Sequence, residues 1–386
     1  MKVSGTGAMA DQRTSLLKIL TTLGTLACAS AVIVLSLTPG AGSTNTPSRY
    51  FIRADLLFTG TALVKGQVAV AVEDGKVVAA GRLRIPSGAR VLRFQNATIL
   101  PGLIDLHVHD SPQLLLRDGV TTTRNLGEPV ARLRPPYAAD GYPRIVAAGP
   151  IITVPGGYPT GRLPELAAPV ASASEAVATV DMLAAKGAAL IKIGLETGRD
   201  GSLPTLSSEE VRAIVSEAHR LNRLVTAHVL EGKGLAIALA GGVDEIAHMP
   251  CLGVTPAQIA ELAKRRIPVV GTLHVERLSG RCPDGVANAR AFIRQGGTLL
   301  YGTDLPNVPP RLDLTELSLM RQAGMTPTQV LIGSTKLAGQ QLGIAKLGTL
   351  AVGAPADILV VKGDPTRVLS ALAHPLLVIA RGKAVN

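Results

Sequence analysis

Aromatic residues are nearly absent from this chain: four Phe, five Tyr and no Trp among 386 residues. A surface that binds nucleic acid by stacking bases on rings is therefore excluded. The core must be aliphatic, and a hydrophobic fraction of 47% supplies it. Cysteine is also scarce. Cys28, Cys251 and Cys282 fit no zinc-ligand spacing, so a thiolate metal cluster is excluded. Cys251 and Cys282 could pair in an oxidising compartment or stay as buried thiols, and both readings remain open here. Acidic residues are in deficit, 28 against 39 basic ones, for a net charge of +11. The basic residues are scattered, with only short groups such as Lys264-Arg265-Arg266, so the excess reads as an ordinary basic surface with no nucleic-acid partner. A charged fraction of 17% is too low for a disordered chain.

One long apolar run is present, at the start. Lys2, Arg13 and Lys18 precede an uncharged stretch over 19–37, and Pro39-Gly40-Ala41-Gly42-Ser43 follows. Ala41-x-Ser43 suits a signal peptidase. The run is long for a signal peptide and just long enough to span a bilayer. It reads as a cleaved signal or as an anchor with its positive end inside. Either places the body of the protein outside the cytoplasm, periplasmic or secreted, or tethered to the membrane through 19–37. Cys28 is a poor lipoprotein site, because apolar residues continue beyond it.

From about residue 100, short Val/Ile-rich runs alternate with Ala/Leu-rich stretches, the pattern of βα units around a parallel sheet. Eight strands are expected, at 102–107, 121–125, 144–148, 190–193, 224–228, 245–248, 268–271 and 298–301. Helices are expected over 174–186 and 208–221, the second with Ser208 as its cap and an acidic first turn. The length to residue 346 suits a (β/α)8 barrel of about 250 residues. On either side the texture changes to β-hairpins. Strands at 68–72 and 77–79 flank the turn Asp74-Gly75. Segments at 356–361 and 376–380 are followed by the turn Arg381-Gly382-Lys383. The expected organisation is therefore a leader and linker over 1–49, a barrel over 99–346, and a small β-sandwich assembled from 50–98 and 347–386.

In such a barrel, catalytic side chains sit at the C-terminal ends of the strands. The first strand ends His107-Val108-His109, and residues two apart on a strand point the same way. The fourth contains Lys192, the fifth ends at His228, the sixth at His248, and the eighth leads to Asp304. Five of these six positions suit a divalent cation directly. Lys192 does not, since an ammonium repels a cation. Its neutral amine could instead take up carbon dioxide as a carbamate and become an anionic bridging ligand. His274, near the end of the seventh strand, and Tyr158 and Arg162, in the loop after the third, are candidates for substrate contact. His219 reads as a solvated helix residue and His374 as part of the terminal β segment.

These positions carry a resemblance. The runs Leu-Pro-Gly-Leu-Ile-Asp-Leu-His-Val-His ending at His109, Asp-Gly-Val-Thr-Thr-Thr ending at Thr123, Ile191-Lys192-Ile193, Ala227-His228, Gly-Gly-Val-Asp-Glu-Ile-Ala-His ending at His248, Gly302-Thr303-Asp304 and Gly-Ala-Pro-Ala-Asp ending at Asp357 resemble the amidohydrolase superfamily, and within it the imidazolonepropionase-related hydrolases. The resemblance covers residues 50–386. It implies two divalent metal ions, with zinc expected: His107, His109 and Asp304 on one, His228 and His248 on the other, and carboxylated Lys192 between them. It also implies hydrolysis by a hydroxide bridging the metals, with Asp304 taking and returning the proton. One departure stands out. Relatives often carry Gly-Gly-His after the third strand, and here the residues are Gly156-Gly157-Tyr158.

The expected reaction is hydrolysis of an amide-type C–N bond in a small molecule or dipeptide, as in a prolidase or a cyclic-amide hydrolase. The same site would serve an ester, a lactone or a phosphotriester. A barrel reduced to a non-catalytic scaffold would have eroded ligands, and none of the six is missing. Assembly into a homo-oligomer is left open by the sequence.

Overall fold

The computed structural model describes residues 49–198 and 200–385. The apolar run at 19–37, Cys28 and the small-residue site at 41–43 lie outside the described residues. Among the described residues no helix is long and apolar enough to cross a membrane.

Eight parallel strands form the barrel. Leu103–Val108, Val120–Asn125 and Arg144–Ala147 pair in order. Ile191–Gly194, Val225–His228, Glu245–Ala247, Val269–Val270 and Leu299–Leu300 continue it. Two seams close the ring. Ala189 N–H donates to Ala147 O at 2.9 Å, and Leu106 N–H donates to Tyr301 O at 3.1 Å. All eight expected strands are present, the last two much shorter than expected. The third is followed by Ile151–Thr153, which joins Ala167–Pro169 and Ile191–Gly194, a branch that the alternation did not reveal.

The helices follow their local chemistry. Ala173–Ala185 is capped by the hydroxyl of Ser172, which accepts from Glu175 N. Ser208–Arg220 starts at the expected residue, but its cap lies one residue earlier, at Ser207 rather than Ser208. The Ser207 hydroxyl accepts from Glu210 N, and the Glu210 carboxylate accepts from Ser207 N. That reciprocal pair satisfies two otherwise free donors.

The end segments assemble into one sheet. Its order is Lys383–Ala384, Pro375–Ala380, Ile358–Lys362, Ala97–Pro101, Tyr50–Phe58, Leu63–Glu73 and Lys76–Gly81, with Arg90–Arg93 also on Tyr50–Phe58. The C-terminal strand Ile358–Lys362 lies antiparallel to Ala97–Pro101, pairing Val360 with Ile99. The sheet encloses a core of its own, including Ile52, Leu57, Val70, Ile99, Ile358 and Val360. The hairpin turn at Asp74 and Gly75 has φ of 49° and 73°, the doubly left-handed turn that matches strand twist. Arg381 and Gly382 repeat it at 54° and 80°.

Candidate metal centre

Strand direction gathers the candidates. His107 leaves the first strand and His109 follows it by two residues, so both rings turn to the barrel mouth. Their Nε2 atoms each lie 3.2 Å from Asp304 Oδ1. Across the mouth, His248 Nε2 lies 3.0 Å from His228 Nδ1. The rings of His107 and His248 are 4.5 Å apart between centroids, so the two pairs form one cluster. Lys192 is 1% exposed, and its Nζ makes no hydrogen bond.

Outer partners hold two of the rings. His228 Nε2–H donates to Glu196 Oε2 at 2.9 Å. A carboxylate only accepts, so the proton sits on Nε2 and the Nδ1 lone pair faces inward. His248 Nδ1 is 2.8 Å from Thr272 Oγ1. With the His248 proton on that hydroxyl, its Nε2 lone pair faces inward too. In the other tautomer Thr272 donates to His248 Nδ1 and His248 Nε2–H donates to His228 Nδ1; a cation between the rings would take both lone pairs in place of that hydrogen bond. This outer anchoring of a ring by its second nitrogen is how metal-binding histidines are oriented.

The backbone is shaped for the same purpose. His248, Thr272 and Asp304 have φ of 73°, 46° and 60°. Left-handed backbone is uncommon outside glycine, tolerated best by Asp and His and least by the β-branched Thr272, and it concentrates where function requires a fixed direction. Gly302 lets the eighth strand touch the first. A Cβ there would fall 2.4 Å from Val270 Cγ1 and 2.9 Å from His107 Cβ.

Burial sets the electrostatics. Desolvation, with the positive neighbours Lys192 and His109 adding to it, holds His107 well below the usual imidazole range. Burial, then His228 and Lys192, do the same to His248. Neutral imidazoles are the ligating form. Burial, with the Arg124 guanidinium behind it, lowers Lys192 to about 7. Arg124 is itself buried, and its Nη1 and Nη2 both donate to the Glu245 carboxylate. The converging nitrogens and carboxylate, the unpartnered Lys192 amine and the neutral rings all fit a pair of divalent cations. His107, His109 and Asp304 group tightly enough to hold one ion.

The structure adds residues that the sequence did not point to. Glu276 groups with His248 and Asp304 closely enough to share an ion. Its Oε1 is 3.7 Å from His248 Nδ1 and accepts from Arg281 Nη2 at 3.1 Å. Burial raises its carboxyl to about 7. Glu196, Thr272 and Glu276 are fixed by contacts 24 to 32 residues apart in the chain or by loop packing, and no local spacing announces them.

The candidates for substrate contact separate. Tyr158 is half-buried, and its ring stacks on His228 with centroids 4.2 Å apart. Arg162 is exposed, but its charge reaches Tyr158 and Glu196. His274 does not turn to the cluster freely. Its Nδ1 pairs with Asp313 at 2.6 Å, and its backbone N–H donates to Glu316 at 2.7 Å. His219 meets Asp244 at 3.0 Å on the surface, away from the centre. Cys251 and Cys282, left open above, are joined in a disulfide with Cα atoms 5.4 Å apart. It ties the loop after His248 to the loop that carries Arg281.

Comparison with known proteins agrees with this architecture. Residues 112–385 match the model of the amidohydrolase family. An uncharacterised protein of Mycobacterium tuberculosis is 29% identical over 336 residues, covering 75% of this chain and 86% of its own. The ochratoxinase of Aspergillus niger is 27% identical over 216 residues, 49% of this chain and 44% of its own. Its crystal structure superposes with a TM-score of 0.73 at 18% identity, over 88% and 96% of the two chains. A Xaa-Pro dipeptidase with bound methionine superposes at 0.74 and 23% identity, over 87% and 99%. The chain belongs to the amidohydrolase family and is a hydrolase of carbon–nitrogen bonds.

Proposed function

We propose that this protein hydrolyses an amide-type C–N bond of a small molecule or dipeptide at a centre of two divalent ions, with zinc as the metal. The observation that carries the reading is the facing pair of inward nitrogens on His228 and His248, each anchored from behind. His107, His109 and Asp304 would hold one ion and His228 and His248 the other. Bound there, the ions supply an ionised water at neutral pH and polarise the substrate oxygen.

The chain's own residues do the rest. Asp304 directs Oδ1 to the two imidazoles, while Oδ2 accepts from Asn307 Nδ2 at 3.1 Å. That carboxylate takes the proton released on attack and returns it to the leaving nitrogen. Lys192 would react as a free amine with carbon dioxide, forming an N–C bond and releasing one proton, to give a carbamate between the ions. A buried ammonium without a partner is costly, which favours the neutral amine that this step needs. Likeness to the Xaa-Pro dipeptidase and to ochratoxinase supports an amide substrate. The narrower imidazolonepropionase-related placement rests on the sequence motifs alone. Placement outside the cytoplasm is part of the proposal, supported by the Cys251–Cys282 disulfide and the apolar run at 19–37. A mature N-terminus near residue 44, or an intact Met1 in the membrane fraction, would support it; intact soluble cytoplasmic protein would refute it.

Metal analysis tests the centre. The expectation is about two ions per chain, falling on Lys192→Ala with loss of activity. One ion, unchanged by that substitution, would sink the carbamate bridge. A panel of N-acyl amino acids, proline dipeptides, lactones and phosphotriesters tests the bond. Turnover of the last two alone would move the reading to ester or phosphotriester chemistry, and turnover of none would return the scaffold reading.

A further inference from the structure

The barrel mouth holds a cavity that the metal centre leaves unused. It lies among the loops after the first three strands and encloses about 350 Å³. His109 forms one wall, so the cavity adjoins the centre. Glu128, Arg132, Arg134, Tyr137 and Tyr142 are among the other lining residues, together with the exposed Asp110.

These side chains carry unspent chemistry. Glu128 is only 7% exposed, and its Oε1 is fully buried with no hydrogen-bond partner. An unpaired buried carboxylate persists where something else compensates for it. Burial pushes its carboxyl up, and the charges of Arg134 and Arg132 oppose that without reversing it. Neither guanidinium forms an ion pair with a described carboxylate. Arg134 lies instead 3.7 Å over the Tyr137 ring. The walls are held in place without a ligand. Tyr137 and Ile145 exchange backbone hydrogen bonds of 3.1 and 2.7 Å. From the β sheet, the Arg381 guanidinium donates to Tyr142 O and Ala139 O at 3.3 Å each. The chain has only five Tyr, and two of them stand in this one cavity.

We infer that this cavity is the specificity pocket for a flat, carboxylate-bearing arm of the substrate. The carboxylate meets Arg132 and Arg134, the flat body lies against Tyr137 and Tyr142, and Glu128 accepts an N–H. Arg132 and Arg134, which pair with no described carboxylate, select an arm that carries an anion, and Glu128 selects a donor on it. An aromatic N-acylamino acid supplies all three features. The inference depends on the reading of the metal centre only in calling the occupant a substrate.

Calorimetric titration of the metal-loaded protein with N-acetyl-L-phenylalanine and with N-acetyl-L-phenylalaninamide tests it, since the two differ only in the carboxylate. The acid is expected to bind at least about tenfold more tightly, the size of a charge-assisted contact. The double substitution Arg132→Ala with Arg134→Ala should reduce the acid to the affinity of the amide and leave the amide unchanged. Arg→Lys at both positions should restore part of the preference. An unchanged melting temperature and metal content keep the comparison free of misfolding. Equal binding of the two probes, binding of neither, or a preference that survives the double alanine variant would overturn the pocket; the last would mean that the carboxylate goes to the metal ions. Hydrolysis is scored separately. A preference governed by the arginines in a protein that cleaves no amide would keep the pocket and discard the reaction.

Discussion

A metal-binding imidazole has to be aimed, and aiming is done by its second nitrogen. His228 has Glu196 behind it and His248 has Thr272. The two partners differ in kind. The carboxylate fixes the tautomer of His228 and adds negative charge to the ring. The hydroxyl fixes only the direction of His248. Burial works against an ionised Glu196, yet the hydrogen bond from His228, with Arg281 and Arg162 nearby, holds its carboxyl below the usual range. Glu196→Gln should therefore weaken metal affinity by about 10–100-fold. Thr272→Val, which removes the hydroxyl at nearly constant shape, should fall at the weak end of that range. Competition against a chelator, read as residual metal per chain, measures both. Equal losses would show that direction alone matters. Unchanged affinity in both would remove the anchoring argument. The ligand candidates themselves were legible in sequence because five stand at or just past the ends of recognisable strands and Lys192 stands inside the fourth. Their partners were not, because Glu196, Thr272 and Glu276 act across the barrel mouth, where chain spacing carries no information.

At the scale of elements, strand ends position the chemistry, and strand contact is set by what is missing from a side chain. The eighth strand passes the first at Gly302, next to Thr303 and Asp304. Asp105 ties the two together. Its Oδ1 accepts from His107 N at 3.0 Å and from Thr303 N at 3.2 Å, and its Oδ2 accepts from Thr303 Oγ1 at 2.7 Å. A methyl group on Gly302 would lie closer to Val270 and His107 than any real Cβ does, and part of what it meets is the His107 backbone. Gly302→Ala should cost about 1–3 kcal/mol by overpacking. It should also displace His107 and lower metal occupancy, so denaturant unfolding and metal analysis should move together. A stability loss with full occupancy would mean that the strands part without moving the ligand. Alternation of apolar and helical stretches was enough to place all eight strands. It could not place the short pair Ile151–Thr153 and Ala167–Pro169, whose partners are decided by the closed ring.

At the scale of the molecule, the two ends of the chain support the barrel through one strand. Ala97–Pro101 belongs to the β sheet and runs, after Gly102 alone, into the strand that carries His107. Ile358–Lys362 pairs along its whole length. Asp357 then joins sheet to barrel: its backbone O accepts from Gly102 N at 2.8 Å, and its carboxylate accepts from Arg381 N at 2.7 Å and Arg144 Nη2 at 3.4 Å. The hairpins at each end could be read from turn residues and alternation. That the last 40 residues complete a sheet begun by the first strands is a non-local pairing, suggested by two β segments flanking one barrel. Deleting 347–386 removes the strands Ile358–Lys362, Pro375–Ala380 and Lys383–Ala384. It also exposes Ile99 and Leu57, which are fully buried, and leaves Ala97–Pro101 with an open edge that invites aggregation. Loss of that support should reach His107 through five residues of continuous strand. A protein of residues 47–386 retains all the described contacts and is expected to unfold cooperatively and bind metal. A protein of residues 47–346 is expected to be insoluble or to lack a cooperative transition. Expression of both, with circular dichroism melting and metal analysis, decides the matter: a folded, metal-loaded 47–346 protein would show that the barrel stands without its composite sheet.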